Sequence, residues 1–230
     1  MSAKVEISPA MASNSWFGGL PESDRLALLA AGERLNLRMG EMLYRQGDTP
    51  GGFFGVVSGS FKVSTLREDG KEGILAVIEA GNWFGETSVF DQLPHPHDAT
   101  ALESAEVLVV GRTAFEGLTA SPTFARAMSV LLSSQVRLLY GLIEDVLLRS
   151  TNTRVARRLM ALVRGDATLA WDCRTVVPVL QEQLAMMLGM SRQTLSKELK
   201  ALERDGVLLV GYRRIEICSL AALESRSKLG

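Results

Sequence analysis

The chain has 230 residues, 47% hydrophobic and 22% charged, which is enough for two ordinary domains with their own cores and too apolar for a disordered chain. Its formal net charge of -1 divides unevenly: residues 1–150 carry 12 Lys/Arg against 18 Asp/Glu and residues 151–230 carry 13 against 8, so the basic excess lies where a phosphate backbone would favour it. Two cysteines, Cys173 and Cys218, exclude a disulfide framework and a four-thiolate iron–sulfur cluster, and the absence of a signal peptide over Met1 to Asn14 or of an apolar run of about 18 residues leads us to expect a cytoplasmic protein with no membrane partner.

A loose N-terminus is expected to give way to a short helix over Pro21 to Ala31, with acidic residues in its first turn. From Gly40 to Val110 the pattern changes. Short apolar segments, Phe53 to Val57, Phe61 to Leu66, Ile74 to Ile78 and Val107 to Val110, are separated by Gly, Asp, Asn and Pro. Many short strands between turn signals predict an antiparallel barrel or jelly roll. The turns are expected at Gly47-Asp48, Ser58-Gly59, Asp69-Gly70 and Ala80-Gly81-Asn82.

Pro122 to Leu148 carries the longest helical pattern, and its apolar residues cover about half the circumference, wider than a helix with one partner needs. One flank is expected on the barrel and the other, along Leu131, Leu138 and Leu142, in a seam with the same helix of a second chain. Gln135 is set in that seam as a polar residue fixing register. The bland reading is a helix buried within a monomer.

Ser150-Thr151-Asn152-Thr153 is the expected hinge, which divides the chain into a barrel over 16–120, a dimerisation helix with hinge over 121–150 and a C-terminal domain over 151–230. Thr153 to Val163 reads as a helix with Val155, Leu159 and Leu162 inward and Arg154, Arg157 and Arg158 outward, and Arg174 to Val177 as a short strand. Gln181 to Lys200 is the most informative stretch. Leu184, Met187 and Leu188 recur at helical spacing, Gly189 breaks the pattern, and Ser191 caps a second helix with apolar points Leu195, Leu199 and Leu202. That is a helix-turn-helix, a unit that places its second helix in the DNA major groove. Its outward residues Arg192, Gln193, Ser196, Lys197 and Lys200 are the donor-rich set that base edges and phosphates need, and Gln181 and Ser191 are placed beside them. Gly206 to Cys218 reads as a two-stranded ribbon turning at Gly211-Tyr212, which makes a winged helix with Arg213 and Arg214 near phosphate or merely solvated. The fold class is therefore α+β: an antiparallel β jelly roll, a long helix and a winged helix-turn-helix.

This order resembles the Crp/Fnr family of bacterial transcription regulators over roughly Trp16 to Leu220. Gly40 to Asp48 and Gly55 to Val63 look like the family's first strands and glycine turn, Trp83-Phe84-Gly85-Glu86 like the start of its phosphate-binding cassette, and Ser191 to Lys197 like its recognition helix. The resemblance implies a homodimer on a palindromic double-stranded DNA site, RNA polymerase as a partner, and a small-molecule effector between barrel and long helix, in a pocket of Phe84, Gly85, Glu86, Thr87, His95, His97, Leu139 and Tyr140. The chain departs from the family at His95, where the cyclic-nucleotide-binding members carry the arginine that neutralises the cyclic phosphate. A neutral imidazole does not replace that cation, so tight binding of cyclic AMP is not expected. A conventional cyclic-nucleotide-responsive regulator is the alternative. No cofactor is assigned, although His95 or His97 could in principle hold haem. A cupin-like metalloenzyme built on His95, His97 and Glu103 is the remote alternative, short of a third histidine.

Overall fold

The computed structural model describes residues 7–164 and 175–228. Three short helices, α1 (Pro9–Ser13), α2 (Ser15–Gly18) and α3 (Glu22–Ala30), lead into eight strands: β1 (Gly32–Leu37), β2 (Met42–Tyr44), β3 (Phe53–Ser58), β4 (Ser60–Leu66), β5 (Glu72–Glu79), β6 (Trp83–Phe84), β7 (Asp98–Ala101) and β8 (Ala105–Val110), with α4 (Glu86–Asp91) between β6 and β7. They form two antiparallel four-stranded sheets, ordered β1-β8-β3-β6 and β2-β7-β4-β5, which is the jelly roll that the strand spacing predicts. Gly47, Gly59, Gly70 and Gly81 all have φ between 78° and 92°, so each expected turn falls where a glycine supplies the left-handed conformation.

Two cores sandwich the first sheet. Between the sheets lie Leu37, Tyr44, Phe54, Val56, Phe61, Phe84, Ala99, Ala101 and Val107. On its outer face, Phe53, Trp83, Leu108 and Val110 meet Met11, Trp16, Phe17, Leu28 and Leu29 from the N-terminal helices, Phe115 of α5 (Arg112–Thr119), and Phe124, Met128 and Leu131 of α6 (Pro122–Leu148). Trp16 Nε1 donates to the Ala127 carbonyl at 2.9 Å. The N-terminus is thus not loose from Ser8 onward: Met11, Trp16 and Phe17 are the hydrophobic plug that seats α6 on the barrel.

The chain then turns through only Arg149 and Ser150 into α7 (Thr151–Val163). Ser150 accepts from Thr153 N and caps α7, so the hinge is shorter than the polar run Ser150 to Thr153 suggested. Val155, Leu159 and Leu162 are buried as expected. Arg158 is buried too, contrary to its expected outward position, while Arg157 bridges back to Asp145 of α6 at 2.6 Å. β9 (Val176–Val177), α8 (Gln181–Leu188), α9 (Arg192–Arg204), β10 (Leu208–Gly211), β11 (Arg214–Ile217) and α10 (Leu220–Lys228) complete the C-terminal domain, in which β10, β11 and β9 form one antiparallel sheet. The ribbon turns at Tyr212-Arg213, one residue later than expected, with Arg213 at φ 56°. Cys173 and Arg174 lie outside the described residues. No helix among the described residues is long and apolar enough to cross a membrane.

Candidate functional site

The helix-turn-helix is built locally. Leu180 N donates to Gln183 Oε1 at 3.1 Å to start α8, and Gly189 ends it at φ 62°, with Met190 N donating to the Ala185 carbonyl. Ser191 Oγ then accepts from Thr194 N at 3.1 Å and opens α9. Ser191 is thereby spent on the cap. Leu184 and Leu188 pack against Leu195, Leu199 and Leu202 in the domain core, which fixes the angle between the two helices. Asn152 Nδ2 to Glu198 Oε2 (2.9 Å) and Arg154 to the Leu188 carbonyl (2.7 Å) tie both helices to α7.

That packing leaves Arg192, Gln193, Lys197 and Lys200 exposed, with Ser196 half-buried between them. At 100° a residue these five span an arc of about 140°, a continuous donor surface the width of a groove-reading helix face. Gln181 stands half-buried at the first position of α8. Arg213 lies elsewhere: it lines a groove of about 680 Å³ between the domains, opposite Glu79 and Glu103 of the barrel and beside Gln183 and Met187 of α8.

At the second site, Gly85 holds φ 91°, and a Cβ there would come within 2.6 Å of the Phe54 ring, so the bend that aims Glu86 into the protein depends on glycine. Glu86 is 5% exposed. Burial raises its pKa, partly offset by its own backbone N–H and by the side chains of Gln135 and Thr87. Its Oε2 is buried with no hydrogen-bond partner among the described residues. Thr87 itself is exposed and approaches Oε1 at 3.5 Å.

Tyr44, which sequence reasoning did not assign, closes the other side. Its hydroxyl is buried with no hydrogen-bond partner among the described residues, and burial, then the negative charges of Glu86 and Asp98, push the phenol far above its ordinary range. His95 stacks on it with ring centroids 3.7 Å apart, and Phe84 and Phe54 fill the space beyond at 6.3 Å and 5.6 Å from Tyr44.

His95 is 2% exposed. Its backbone pairs with Gly47 and Asp48, and Nε2 accepts from Gly51 N at 3.4 Å. Burial, then neighbouring His97, lowers its pKa against the pull of Asp48, so the group is held neutral. His97 is half-buried, 5.9 Å from Tyr44 between ring centroids, and burial lowers its pKa as well. Glu103 accepts from Ser60 Oγ at 2.8 Å instead of joining the histidines, and no group of three or more His, Cys, Asp and Glu among the described residues could hold a metal ion.

The long helix divides the residues expected on it between a buried face and an exposed one. Leu131, expected in a seam with a second chain, is 2% exposed and part of the barrel-side core. Gln135, expected beside it, turns toward Glu86. The pair continues the barrel-facing stripe Phe124, Met128, Leu131, Gln135; the Phe124 and Met128 at its start were the sequence signal for this face. Leu138 and Leu142, next on that stripe, are exposed where the barrel ends. Leu139 and Tyr140, expected in the pocket, are also exposed, and neither reaches Glu86 of its own chain: the α6 side chain that does is Gln135.

Comparison with known proteins agrees with both halves of this geometry. A family model described as a cyclic nucleotide-binding domain matches residues 34–121, and one described as a Crp-like helix-turn-helix domain matches residues 153–226. The cyclic AMP receptor protein of Thermus thermophilus is 30% identical over 216 residues, covering 93% of this chain and 97% of that protein. FixK2 of Bradyrhizobium japonicum superposes with a TM-score of 0.76 at 22% identity, covering 86% of this chain and 98% of that one. The c-di-GMP responsive global regulator CLP of Xanthomonas campestris does so with a TM-score of 0.71 at 20% identity, covering 86% and 100%. The two structural likenesses show the fold, and the identity to the Thermus protein over nearly the whole of both chains shows the family: this chain belongs to the Crp/Fnr family of DNA-binding transcription regulators.

Proposed function

We propose that the chain acts as a homodimer that binds a palindromic DNA site and answers to a small-molecule effector at the junction of the jelly roll with α6. The observation that carries the DNA half is the exposed donor face of α9. Arg192, with its planar fork, suits guanine O6 and N7, Gln193 suits adenine or a phosphate, and Ser196, Lys197 and Lys200 serve base edges and phosphates. Gln181 sits near the phosphate that the start of α8 would approach, and Arg213 becomes available when the ribbon leaves the barrel. Two recognition helices on a palindrome stand one duplex turn apart, about 34 Å.

The division into an effector-sensing unit (16–120), a dimerisation helix (121–150) and a DNA-binding unit (151–230) follows from this reading, with the protein working beside the chromosome in the cytoplasm, meeting RNA polymerase there and catalysing no reaction. The seam lies one residue over from the expected stripe. Leu132, Val136, Leu139, Ile143 and Val146 recur at alternating steps of four and three residues, and all but half-buried Leu132 are exposed. At the effector end, the neutral, stacked His95 gives a cyclic phosphate no cation, so the effector is not a tightly bound cyclic mononucleotide. Glu86 behind Gly85, with a relative named a cyclic AMP receptor, supports the second reading, a cyclic-nucleotide-responsive regulator.

Selection of duplexes from random DNA by the full chain, with and without cyclic AMP, tests the proposal. A palindromic site should emerge, unchanged by cyclic AMP. Arg192→Ala should weaken binding to it by about 1–3 kcal/mol and relax preference at one base pair per half-site, leaving non-specific binding nearly intact. Sequence preference untouched by Arg192→Ala would place the reading helix elsewhere.

A further inference from the structure

The first two turns of α7 reach both ways from the hinge. Arg157 closes back onto Asp145 of α6 at 2.6 Å, and Asn152, two residues beyond Ser150, reaches forward: its Nδ2 donates to Oε2 of Glu198 on α9 at 2.9 Å. Six residues on from Arg192 at 100° a residue, Glu198 lies about 240° round the recognition helix, outside the donor arc of about 140° and beside the buried stripe of Leu195, Leu199 and Leu202. A half-buried carboxylate turned away from the groove contributes no contact to base or phosphate. What it touches is the turn of helix that follows the hinge.

The two holds of α7 on the helix-turn-helix differ in kind. Arg154 grips α8 through the Leu188 carbonyl, a main-chain acceptor that any sequence would supply. The polar grip on α9 needs two side chains matched to one another. Asn152 is free for it, because the N-terminal cap of α7 is made by Ser150, which accepts from Thr153 N. Apolar packing holds α7 and α9 together without regard to direction, whereas a hydrogen bond to a carboxylate weakens steeply off its axis.

We propose that Asn152 and Glu198 are a positioning pair that locks the angle of the recognition helix to the hinge and thereby sets which separation of half-sites the protein accepts. This rests on the reading above of a dimer on a palindrome. The donor face of α9 decides which bases are read; the pair decides how far apart, and at what relative rotation, two such sets of bases must lie. Without it each half-site is still recognised, and discrimination between spacers is lost.

The test measures affinity of the full chain for the selected palindrome and for versions with one base pair inserted or removed between the half-sites, each step turning them by about 34° and moving them by about 3.4 Å. The readout is the ratio of affinities for the best and the altered spacing, which a general loss of stability does not move; thermal melting follows folding separately. Asn152→Asp alone sets two carboxylates together and should lower that ratio about ten-fold, and Asn152→Ala about three-fold. Asn152→Asp combined with Glu198→Gln keeps the net charge, exchanges donor for acceptor and places the new carboxylate in the first turn of α7, where the helix dipole favours it. This double variant should return to within about two-fold of the wild-type ratio. A double variant no better than Asn152→Asp, or single variants with the wild-type ratio, would overturn the pair. Should Asn152→Asp prove poorly folded, Asn152→Ala decides by the same ratio. A wild-type chain that selects no palindrome would instead sink the DNA reading, which is distinct from a palindrome-binding protein whose spacer preference ignores these two side chains.

Discussion

His95 occupies the position of a phosphate-binding arginine, yet its ring is stacked on Tyr44 and its Nε2 faces the Gly51 N–H. Protonating that nitrogen would set two donors against each other in a buried place. His97 is depressed by burial, against the pull of its own backbone and of Asp98. A base whose folded pKa lies below its unfolded value adds stability that is full above the unfolded value, here 6.5, and is lost as pH falls through the folded one. Glu86 works in the opposite sense: its raised pKa gives a contribution present below its ordinary 4.5 and lost as pH rises through the folded value. Melting temperature should therefore fall from pH 7.5 to pH 5.5, by about 2–4 °C for each kcal/mol of linkage, and His97→Gln should flatten the slope. Glu86→Gln should raise melting temperature most at pH 7.5. A wild-type profile rising toward pH 5.5 would mean that the carboxyl, not the imidazoles, dominates.

Among the elements, α6 packs on the barrel and meets α7 through the Arg157–Asp145 pair, and its faces can be separated by substitution. Leu139 is exposed in the single chain, so Leu139→Glu should abolish the dimer and tight palindrome binding while leaving the melting of the monomer within about 0.5 kcal/mol of its stability. Leu131→Ala should do the reverse, costing about 2–5 kcal/mol of stability through the barrel-side core. Sedimentation and thermal melting of the two variants check this, and a dimer surviving Leu139→Glu would move the seam. The same helix shows why part of the molecule was readable in its sequence. The bounds Pro122 to Leu148 came directly from the helical period, as the strands of the barrel came from short apolar segments between glycine turns. Which stripe met the barrel did not, because Leu131, Gln135, Leu138, Leu142 and Leu132, Val136, Leu139, Ile143 have the same spacing and differ only by one residue of rotation. The burial of His95 was hidden for a different reason. Pro94-His95-Pro96-His97 is polar and looks like a surface loop; only the position of Tyr44, some fifty residues away, draws the ring inward. The recognition helix was legible because capping and periodicity are local, whereas the effector site is assembled from β2, the β6–α4 corner, the loop before β7 and α6.

At the scale of the whole molecule, the C-terminal domain rests against the barrel along the groove that contains Arg213, and the Arg157–Asp145 ion pair spans the hinge. Only Arg149 and Ser150 separate the helices there, and Arg149 is itself paired with Glu144. So short a joint has little slack, and the bearing of α9 follows the angular phase at which α6 ends. Each alanine inserted after Leu147 would turn everything beyond it by about 100° and advance it by about 1.5 Å. Affinity for the palindrome plotted against insert length should therefore oscillate: one or two residues should cost at least about ten-fold, and four, close to a full turn, should recover part of the loss. A flat plot would reveal a loose swivel. On this view the helix is a keyed shaft, and the half-site spacing of the operator is the gauge against which its pitch is held.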